Sequence, residues 1–283
     1  MKIVSWNVNY WENVHIYEKG RKSLFFKSCS AEIEEWINSC KEYIKNLDVD
    51  IILLQEINPF ILFNKNYEKN DTNQYIYSEK NRVILYHELY SELFSEGLRE
   101  NFWGNAIILN SSPVIVNNNI VLDNNNYYGR NGLMCYDILL RNATSITIIN
   151  YYNKNNKCKK YYSMPYDMKQ DLINITKEKH ENLIIFAGDF NSDKKDDKKY
   201  FDFLEEIGFY NFTTGEEFIT TMVPEMPQYP NDKVFINNKN NINIKISCEK
   251  VKNTFIENKN IHYSDHYPIL CEITGIEDLH GSA

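Results

Sequence analysis

The chain carries acids, amides and a histidine where short apolar runs end. Asn7 follows residues 2–6, Glu56 follows residues 51–55, and Asp189 and Asn191 follow residues 183–187. A loop near the C-terminus adds the pair Asp265-His266. Carboxylates and amides that converge can hold a divalent cation, and an acid beside an imidazole can move protons. We therefore expect one metal-assisted site for phosphate chemistry.

In this order, the residues resemble the motifs of the endonuclease/exonuclease/phosphatase superfamily, the group that contains deoxyribonuclease I and exonuclease III. The similarity spans residues 1–272, and five or six ordered matches rarely arise by chance. The matching segments are Ser5-Trp6-Asn7-Val8-Asn9, Leu54-Gln55-Glu56, Gly104-Asn105-Ala106-Ile107, Gly188-Asp189-Phe190-Asn191, Asn231-Asp232-Lys233-Val234-Phe235-Ile236 and Ser264-Asp265-His266. The resemblance implies a four-layer α/β sandwich, in which helices flank two packed mixed sheets and the site lies at one edge.

Glu56 is the residue that we expect to hold the metal. A carboxylate at a strand end offers the hard oxygen that Mg²⁺ prefers, and Mn²⁺ could take its place. Asn7 and Asn9 could support the metal or bind phosphate, and Asp265 would complete the metal side. The residues alone also allow a surface acid at Glu56 and a turn-forming asparagine at Asn7.

Asp189, Asn191 and His266 are the expected catalytic residues. The resemblance implies that the aspartate orients or deprotonates water and that the asparagine is its partner. In an extended segment both would project to one side, with Phe190 in the core; a plain Asp-x-Asn turn is the alternative. His266 could donate to a phosphate oxygen when protonated, a form that a nearby carboxylate favours. The resemblance implies Asp232 as that carboxylate.

Five further residues are candidates for contact with the substrate or leaving group. Tyr152 falls where relatives carry a histidine or tyrosine near the leaving group, although a cross-strand tyrosine is the alternative. Asn105 is a phosphate-side candidate. Lys154 and Lys157 begin a basic, aromatic stretch that could hold a nucleic-acid backbone, and Arg130 is similar. A solvated loop is the ordinary explanation of such a stretch.

The hydrophobic pattern predicts the elements that would position these residues. Apolar residues at helical spacing predict helices at residues 31–47, around 168–175 and at 197–207, the last ended by Gly208. Buried strands are predicted at residues 1–6, 51–54 and 183–187. Shorter strands, which suit antiparallel pairing, are predicted at residues 82–86, 106–109, 114–116, 133–140 and 146–149. The pattern gives a mixed α/β protein without a topology.

Composition limits the class of protein. The formal charge of −8 argues against a broad polyanion-binding surface, but site carboxylates contribute to it and a bound cation would reverse the local sign. Six cysteines without C-x-x-C spacing favour reduced thiols in the cytoplasm, and no apolar run approaches the ~18 residues of a membrane span. Because the expected site extends from Asn7 to His266, we predict one catalytic domain over residues 1–280. We interpret residues 281–283 as a cloning remnant.

Together with the resemblance, these residues predict a Mg²⁺-dependent phosphodiesterase. The opening residues 1–7 and the compact length are similar to exonuclease III-like nucleases, which implies DNA or RNA as the substrate. In-line attack would come from a water positioned by Asp189 and Asn191. The partner would be a nucleic acid, and a monomer without a membrane span is favoured. One alternative is a phosphatase or phosphodiesterase that acts on inositol phosphates or phospholipid headgroups. Another is a binding module without catalysis.

Overall fold

A computed structural model provides the fold of the protein. It describes residues 1–8, 15–18, 21–24, 30–57, 62, 74–79, 82–92, 101–110, 115–116, 133–140, 144–153, 166–191, 197–221, 230–251, 255–256, 261–262, 264 and 266–276. The helices are α1 (Ser30–Asn46), α2 (Tyr166–Glu178) and α3 (Asp197–Glu206). The strands are β1 (Lys2–Asn7), β2 (His15–Glu18), β3 (Arg21–Leu24), β4 (Ile51–Ile57), β5 (Gln74–Glu79), β6 (Arg82–Glu92), β7 (Asn101–Asn110), β8 (Ile115–Val116), β9 (Leu133–Leu139), β10 (Ser145–Tyr152), β11 (Leu183–Asp189), β12 (Tyr210–Asn211), β13 (Asp232–Asn237), β14 (Lys245–Lys250), β15 (Phe255–Ile256), β16 (Ile261–His262) and β17 (Ile269–Thr274).

Two large sheets contain most of the strands. The first sheet has the order β14-β17-β1-β4-β7-β6-β5, and the second has the order β12-β13-β11-β10-β9-β8. Each sheet holds one parallel pair, β1 with β4 and β10 with β11, and its other pairs are antiparallel. Because β1 also pairs with β17, the first and last strands lie side by side. That residues 1–280 form a single domain stays a prediction.

The main hydrophobic core lies between the two sheets. Alternate residues of the central strands enter it, such as Ile51 and Leu53 on β4 and Ile146 and Ile148 on β10. The residues between them are also buried, because helices cover the outer faces of the sheets. A strand that is covered on both faces is apolar along its length. Thus Ile52 of β4 faces away from the inter-sheet core.

Helices form the two outer layers. Cys40 and Ile44 of α1 pack on the outer face of the first sheet. Leu172 of α2 and Leu204 of α3 pack against aromatic residues of the second sheet, including Phe186. The predicted four-layer α/β sandwich is therefore confirmed. None of the helices in the described ranges is long and apolar enough to span a membrane.

The predicted elements are present, with shifted ends. The strands predicted at 82–86 and 106–109 extend to β6 and β7, and Gly208 has the positive φ, 96°, that follows a helix end. The prediction omitted β5, β12, β14, β17 and the short β2–β3 and β15–β16 hairpins. Strands such as β14, with lysine and glutamate on its exposed face, bury only one side in the sheet, so their apolar runs are interrupted.

Candidate active site

Strand ends from both sheets meet at one edge of the sandwich. The parallel pair β1–β4 brings Asn7 opposite Gln55 in the first sheet. The parallel pair β10–β11 brings Tyr152 opposite Asp189 in the second. Because parallel strands end on the same side, the residues at the ends of all four strands can face one another across the gap between the sheets.

Asn7 joins the two sheets through hydrogen bonds to two carboxylates. Its amide nitrogen donates to Glu56 Oε2 at 2.9 Å and to Asp189 Oδ2 at 2.8 Å. Tyr152 donates from its hydroxyl to Glu56 Oε1 at 2.7 Å. Its neighbour Tyr151 packs on the outer side of the second sheet, as expected for the opposite register. Four of the predicted residues are therefore one hydrogen-bonded group.

Glu56 has a strained backbone. Its φ is 53°, a left-handed value that costs a non-glycine residue about 1–3 kcal/mol. The register between β4 and β7 shifts between Leu54 and Ile57, so the strain coincides with a bulge. A bulge re-aims a side chain out of the regular alternation. Here the carboxylate turns toward Asn7 and Tyr152.

A buried amide pair supports the bulge, and sequence reasoning missed it. Asn150 of β10 donates from its amide nitrogen to Leu54 O at 2.9 Å and Ala106 O at 2.8 Å. Its oxygen accepts from Gln55 Nε2 at 2.7 Å. Asn150 thus ties the second sheet to the backbone next to Glu56. The available signal was its position two residues before Tyr152, which places both side chains on one face of β10.

A turn joins Asp189 and Asn191, so the expectation of an extended segment here is wrong. Asn191 has φ of 41°, so the strand has ended. Its backbone N–H donates to Asp189 Oδ1 at 2.8 Å and its amide nitrogen to Asp189 Oδ2 at 3.1 Å. Phe190 is fully buried, as predicted. Gly188 has φ of 149°, and a Cβ there would lie 1.8 Å from Tyr151 O, so only glycine allows this approach to Asp189.

His266 pairs with Asp232, the partner that the resemblance implied. Its Nδ1 lies 2.8 Å from Asp232 Oδ2, and Thr220 donates its hydroxyl to the same oxygen. The backbone near the histidine is also fixed, because Trp6 Nε1 donates to His266 O at 2.8 Å. Asp232 lies directly opposite Asp189 in the β11–β13 register. The histidine pair and the Asn7 group are therefore adjacent.

Burial and like charge disturb the ionisation of Asp189. Removal from water is the largest cause, and together with the neighbouring Asp232 carboxylate it raises the pKa of the Asp189 carboxyl from 3.8 to about 7. His266 and the hydrogen bonds from Asn7 and Asn191 act in the opposite direction. Among the described residues, no lysine or arginine forms a salt bridge with Asp189 or Asp232. The described residues therefore compensate the negative charge here only in part.

Comparison of the sequence with protein families gives one decisive match. The model described as "Endonuclease/Exonuclease/phosphatase family" matches residues 4–216 of the 283. The chain belongs to the endonuclease/exonuclease/phosphatase family. No curated protein sequence matches this chain.

Solved structures of other proteins share the fold at low sequence identity. A family protein from Leptotrichia buccalis is 19% identical, with TM-score 0.54 over 96% of this chain and 99% of that one. TDP2 from D. rerio, complexed with single strand DNA product, is 14% identical, with TM-score 0.56 over 96% and 98%. The endonuclease domain of TRAS1, a telomere-specific non-LTR retrotransposon, is 15% identical, with TM-score 0.51 over 95% and 96%. At these identities the likeness shows the fold alone.

Members of the endonuclease/exonuclease/phosphatase family generally depend on a divalent metal, and the donor set fits one. Glu56 and Asn7 offer the hard oxygens that Mg²⁺ and Mn²⁺ prefer. The buried Oδ1 of Asp232 has no hydrogen-bond partner. A second group, Asp189, Asp232 and His266, has ligand atoms within 4.8 Å of one another. Within this second group, His266 Nδ1 is already hydrogen-bonded to Asp232 Oδ2.

Several predicted site residues are not part of the described network. Asn105 of β7 is fully buried, opposite His87 of β6, and its part in the site stays a prediction. The others lie outside the described residues, so their roles also stay predictions: Asn9, Arg130, Lys154, Lys157 and Asp265.

Proposed function

We propose that the protein is a Mg²⁺-dependent phosphodiesterase that hydrolyses phosphodiester bonds in DNA or RNA. The observation that carries the proposal is the bridge from Asn7 to both Glu56 and Asp189, which unites the strand ends of two sheets in one buried group. A strained glutamate and an acid with a raised pKa are features that proteins retain at functional sites. The proposal takes residues 1–280 as one domain and a cytoplasmic monomer as the acting form.

Asp189 is the group that accepts a proton from the attacking water. A general base works best when its pKa lies near the ambient pH, and burial brings the pKa of Asp189 to about 7. Asn7 and Asn191 donate to its oxygens and so fix the direction of the carboxylate. The fixed carboxylate can orient a water for in-line attack on phosphorus.

His266 is the group that stabilises charge on the phosphate oxygens. Asp232 accepts from Nδ1, which leaves Nε2 as the ring nitrogen that can reach a substrate. Thr220 donates to Asp232 and thereby holds the acid in place. A protonated imidazole held in this way is a preorganised donor to an anionic transition state.

Glu56 is the residue that would hold the metal, with Asn7 beside it. When bound, the ion would neutralise charge on the phosphate and stabilise the leaving oxygen. Asn7 and Tyr152 each donate to one oxygen of Glu56, so the carboxylate has a fixed orientation before any ligand arrives. Such outer hydrogen bonds normally set the geometry of a ligating carboxylate.

Two observations favour a nucleic-acid substrate. TDP2 from D. rerio, one protein with this fold, is complexed with single strand DNA product. A nucleic acid also suits the basic stretch from Lys154, which lies next in sequence to the β10 strand end at Tyr152. We therefore infer a nucleic-acid substrate for this chain.

A substrate panel tests the proposal. Purified protein would be incubated with supercoiled plasmid, single-stranded DNA, RNA and inositol phosphates, with Mg²⁺ or with chelator. We expect cleavage of a nucleic acid with Mg²⁺ and none with chelator. Cleavage that persists with chelator would contradict the proposed metal dependence. Release of phosphate from inositol phosphates alone would contradict the proposed nucleic-acid substrate. Inactivity on the whole panel would contradict the proposed activity.

A further inference from the structure

Two cysteines face each other across the strand pair at one edge of the first sheet. Cys248 of β14 lies opposite Cys271 of β17 in the antiparallel register. The backbone N–H of Val251 donates to Pro268 O at 2.9 Å, which makes 251–268 a hydrogen-bonded pair. Hydrogen-bonded and non-hydrogen-bonded pairs alternate along an antiparallel strand pair. Cys248 and Cys271 are three residue pairs away from 251–268, so they form a non-hydrogen-bonded pair. In these pairs the side chains are closest.

The two thiols already touch one another. A hydrogen bond with Cys248, together with burial, raises the pKa of the Cys271 thiol. Both side chains point toward the inter-sheet core, where Cys271 is buried and Cys248 is half-buried. Neither of the other two cysteines in the described ranges faces a cysteine, because Cys40 lies in a helix and Cys135 lies opposite Ile149. The contact is therefore specific to this pair.

We propose that Cys248 and Cys271 form a reversible thiol–disulfide site that a small-molecule disulfide oxidises. Residues in a non-hydrogen-bonded antiparallel pair have Cα atoms about 4.5 Å apart, which falls within the range of about 4.4–6.8 Å that a disulfide spans. The bond can then form without a change in strand register. The inference is independent of the proposed activity, because it rests on another part of the first sheet.

The reaction is a thiol–disulfide exchange in two steps. Cys248, the more accessible thiol, loses its proton and attacks one sulfur of the small disulfide, which releases one thiolate. Cys271 then loses its proton and attacks the Cys248 sulfur of the mixed disulfide, which releases the second thiolate. Two protein thiols are oxidised and one small disulfide is reduced to two thiols. A small dithiol reverses both steps.

The cross-link would close the chain around the histidine segment. Residues 249–270 lie between the two cysteines and include Ser264 and His266. Ser264 donates its hydroxyl to Asn7 O at 2.7 Å, so this segment is anchored to the site edge. Closing a loop restricts the unfolded chain more than the folded one. Oxidation should therefore stabilise the fold and leave the strand pair unchanged.

Peptide mapping after oxidation tests the proposal. The full chain would be treated with oxidised glutathione, alkylated and digested. We expect a peptide that joins Cys248 to Cys271, reversal by dithiothreitol, and a rise in Tm of about 5 °C or more in the oxidised protein. Cys40→Ser should retain both effects, since Cys40 lies in α1, whereas Cys248→Ser should lose both.

Three results would overturn the inference. Both thiols could stay alkylatable at an excess of oxidant. A glutathione adduct could persist on Cys248, which would show that Cys271 cannot reach it. The cross-link could instead join another cysteine. Nuclease activity does not enter this test, so it can fail or succeed whatever the substrate panel shows.

Discussion

The two ends of the second sheet hold acids in different surroundings, a partly exposed acid at one end and a buried pair at the other. At one end, Asp137 of β9 pairs with Lys179 at 2.6 Å and accepts from Thr147 Oγ1 at 2.7 Å. At the other end, Asp189 and Asp232 lie opposite each other, and in the described part of the chain no lysine or arginine pairs with either. The same strands, β10 and β11, run between the two ends.

This difference separates an acid that serves the fold from one suited to chemistry. A carboxylate paired with lysine and a hydroxyl has its charge compensated inside the protein. No lysine or arginine of the described residues pairs with Asp189 in that way, and the pKa of its carboxyl rises to about 7 because burial and Asp232 disfavour its charge. A carboxylate in these surroundings is available to a cation, a proton or a substrate.

The largest expected effect distinguishes the two acids by turnover. Asp189→Asn should lower kcat by about a hundredfold or more, because the variant cannot accept a proton from water. Asp137→Asn is the matched control and should leave kcat within about twofold while lowering Tm, because it leaves the Lys179 ammonium without its partner. Steady-state kinetics and thermal unfolding measure both. Equal losses of kcat in the two variants would remove the distinction.

Much of the site edge could be predicted from strand ends. The positions of Asn7, Glu56 and Asp189 followed from apolar runs and the residues after them, whereas His266 followed from a loop motif and the family resemblance. A glutamate at φ of 53° could not be predicted, because nothing in local propensity favours a left-handed glutamate. That conformation depends on contacts from the other sheet.

The supporting residues were missed for a related reason. Asn150 lies inside an apolar strand, where a lone amide gives no motif, and its three hydrogen bonds link elements distant in sequence. Thr220 likewise lies in an irregular segment, and only the fold brings it to Asp232. Sheet order was also beyond reach, because β7 pairs antiparallel with both neighbours yet is buried on both faces, so its apolar run does not distinguish it from a strand of a parallel pair such as β4.

A smaller effect is expected from Asn150, which supports the site without belonging to it. Asn150→Leu removes the donor to Leu54 O and Ala106 O, so the bulge that aims Glu56 should loosen. We expect kcat to fall by about tenfold, the range found when an outer hydrogen-bond partner of a ligating group is lost. Kinetics at saturating substrate would measure the fall.

Thr147→Val is the control for Asn150, because Thr147 lies on the same strand at the Asp137 end. It should lower Tm and leave kcat nearly unchanged. If the two variants lose stability alike and neither loses turnover, Asn150 has no role in positioning Glu56.

The smallest expected effect is on the pH dependence of stability. The folded protein keeps the Asp189 proton up to about pH 7, whereas the unfolded chain loses it near 3.8. Between these values the folded state keeps the Asp189 proton and the unfolded state does not, so the contribution of Asp189 to the free energy of unfolding should fall as pH rises, by about 1 kcal/mol per pH unit. Urea unfolding with chelator present would measure the slope.

The same two variants sharpen the pH experiment. Asp189→Asn has no titrating carboxyl at this position and should lose this part of the slope, whereas Asp137→Asn should retain it. If the slope persisted in Asp189→Asn and disappeared in Asp137→Asn, the acid with the raised pKa would be Asp137 and not Asp189.

Anomalous diffraction from crystals soaked in Mn²⁺ tests the central claim most directly, because it locates the ion without reference to activity. We predict an anomalous peak in contact with a carboxylate oxygen of Glu56 in the wild-type protein and its loss in Glu56→Ala. A peak held by Asp189, Asp232 and His266 without Glu56, or no peak at this edge of the sandwich, would contradict the account.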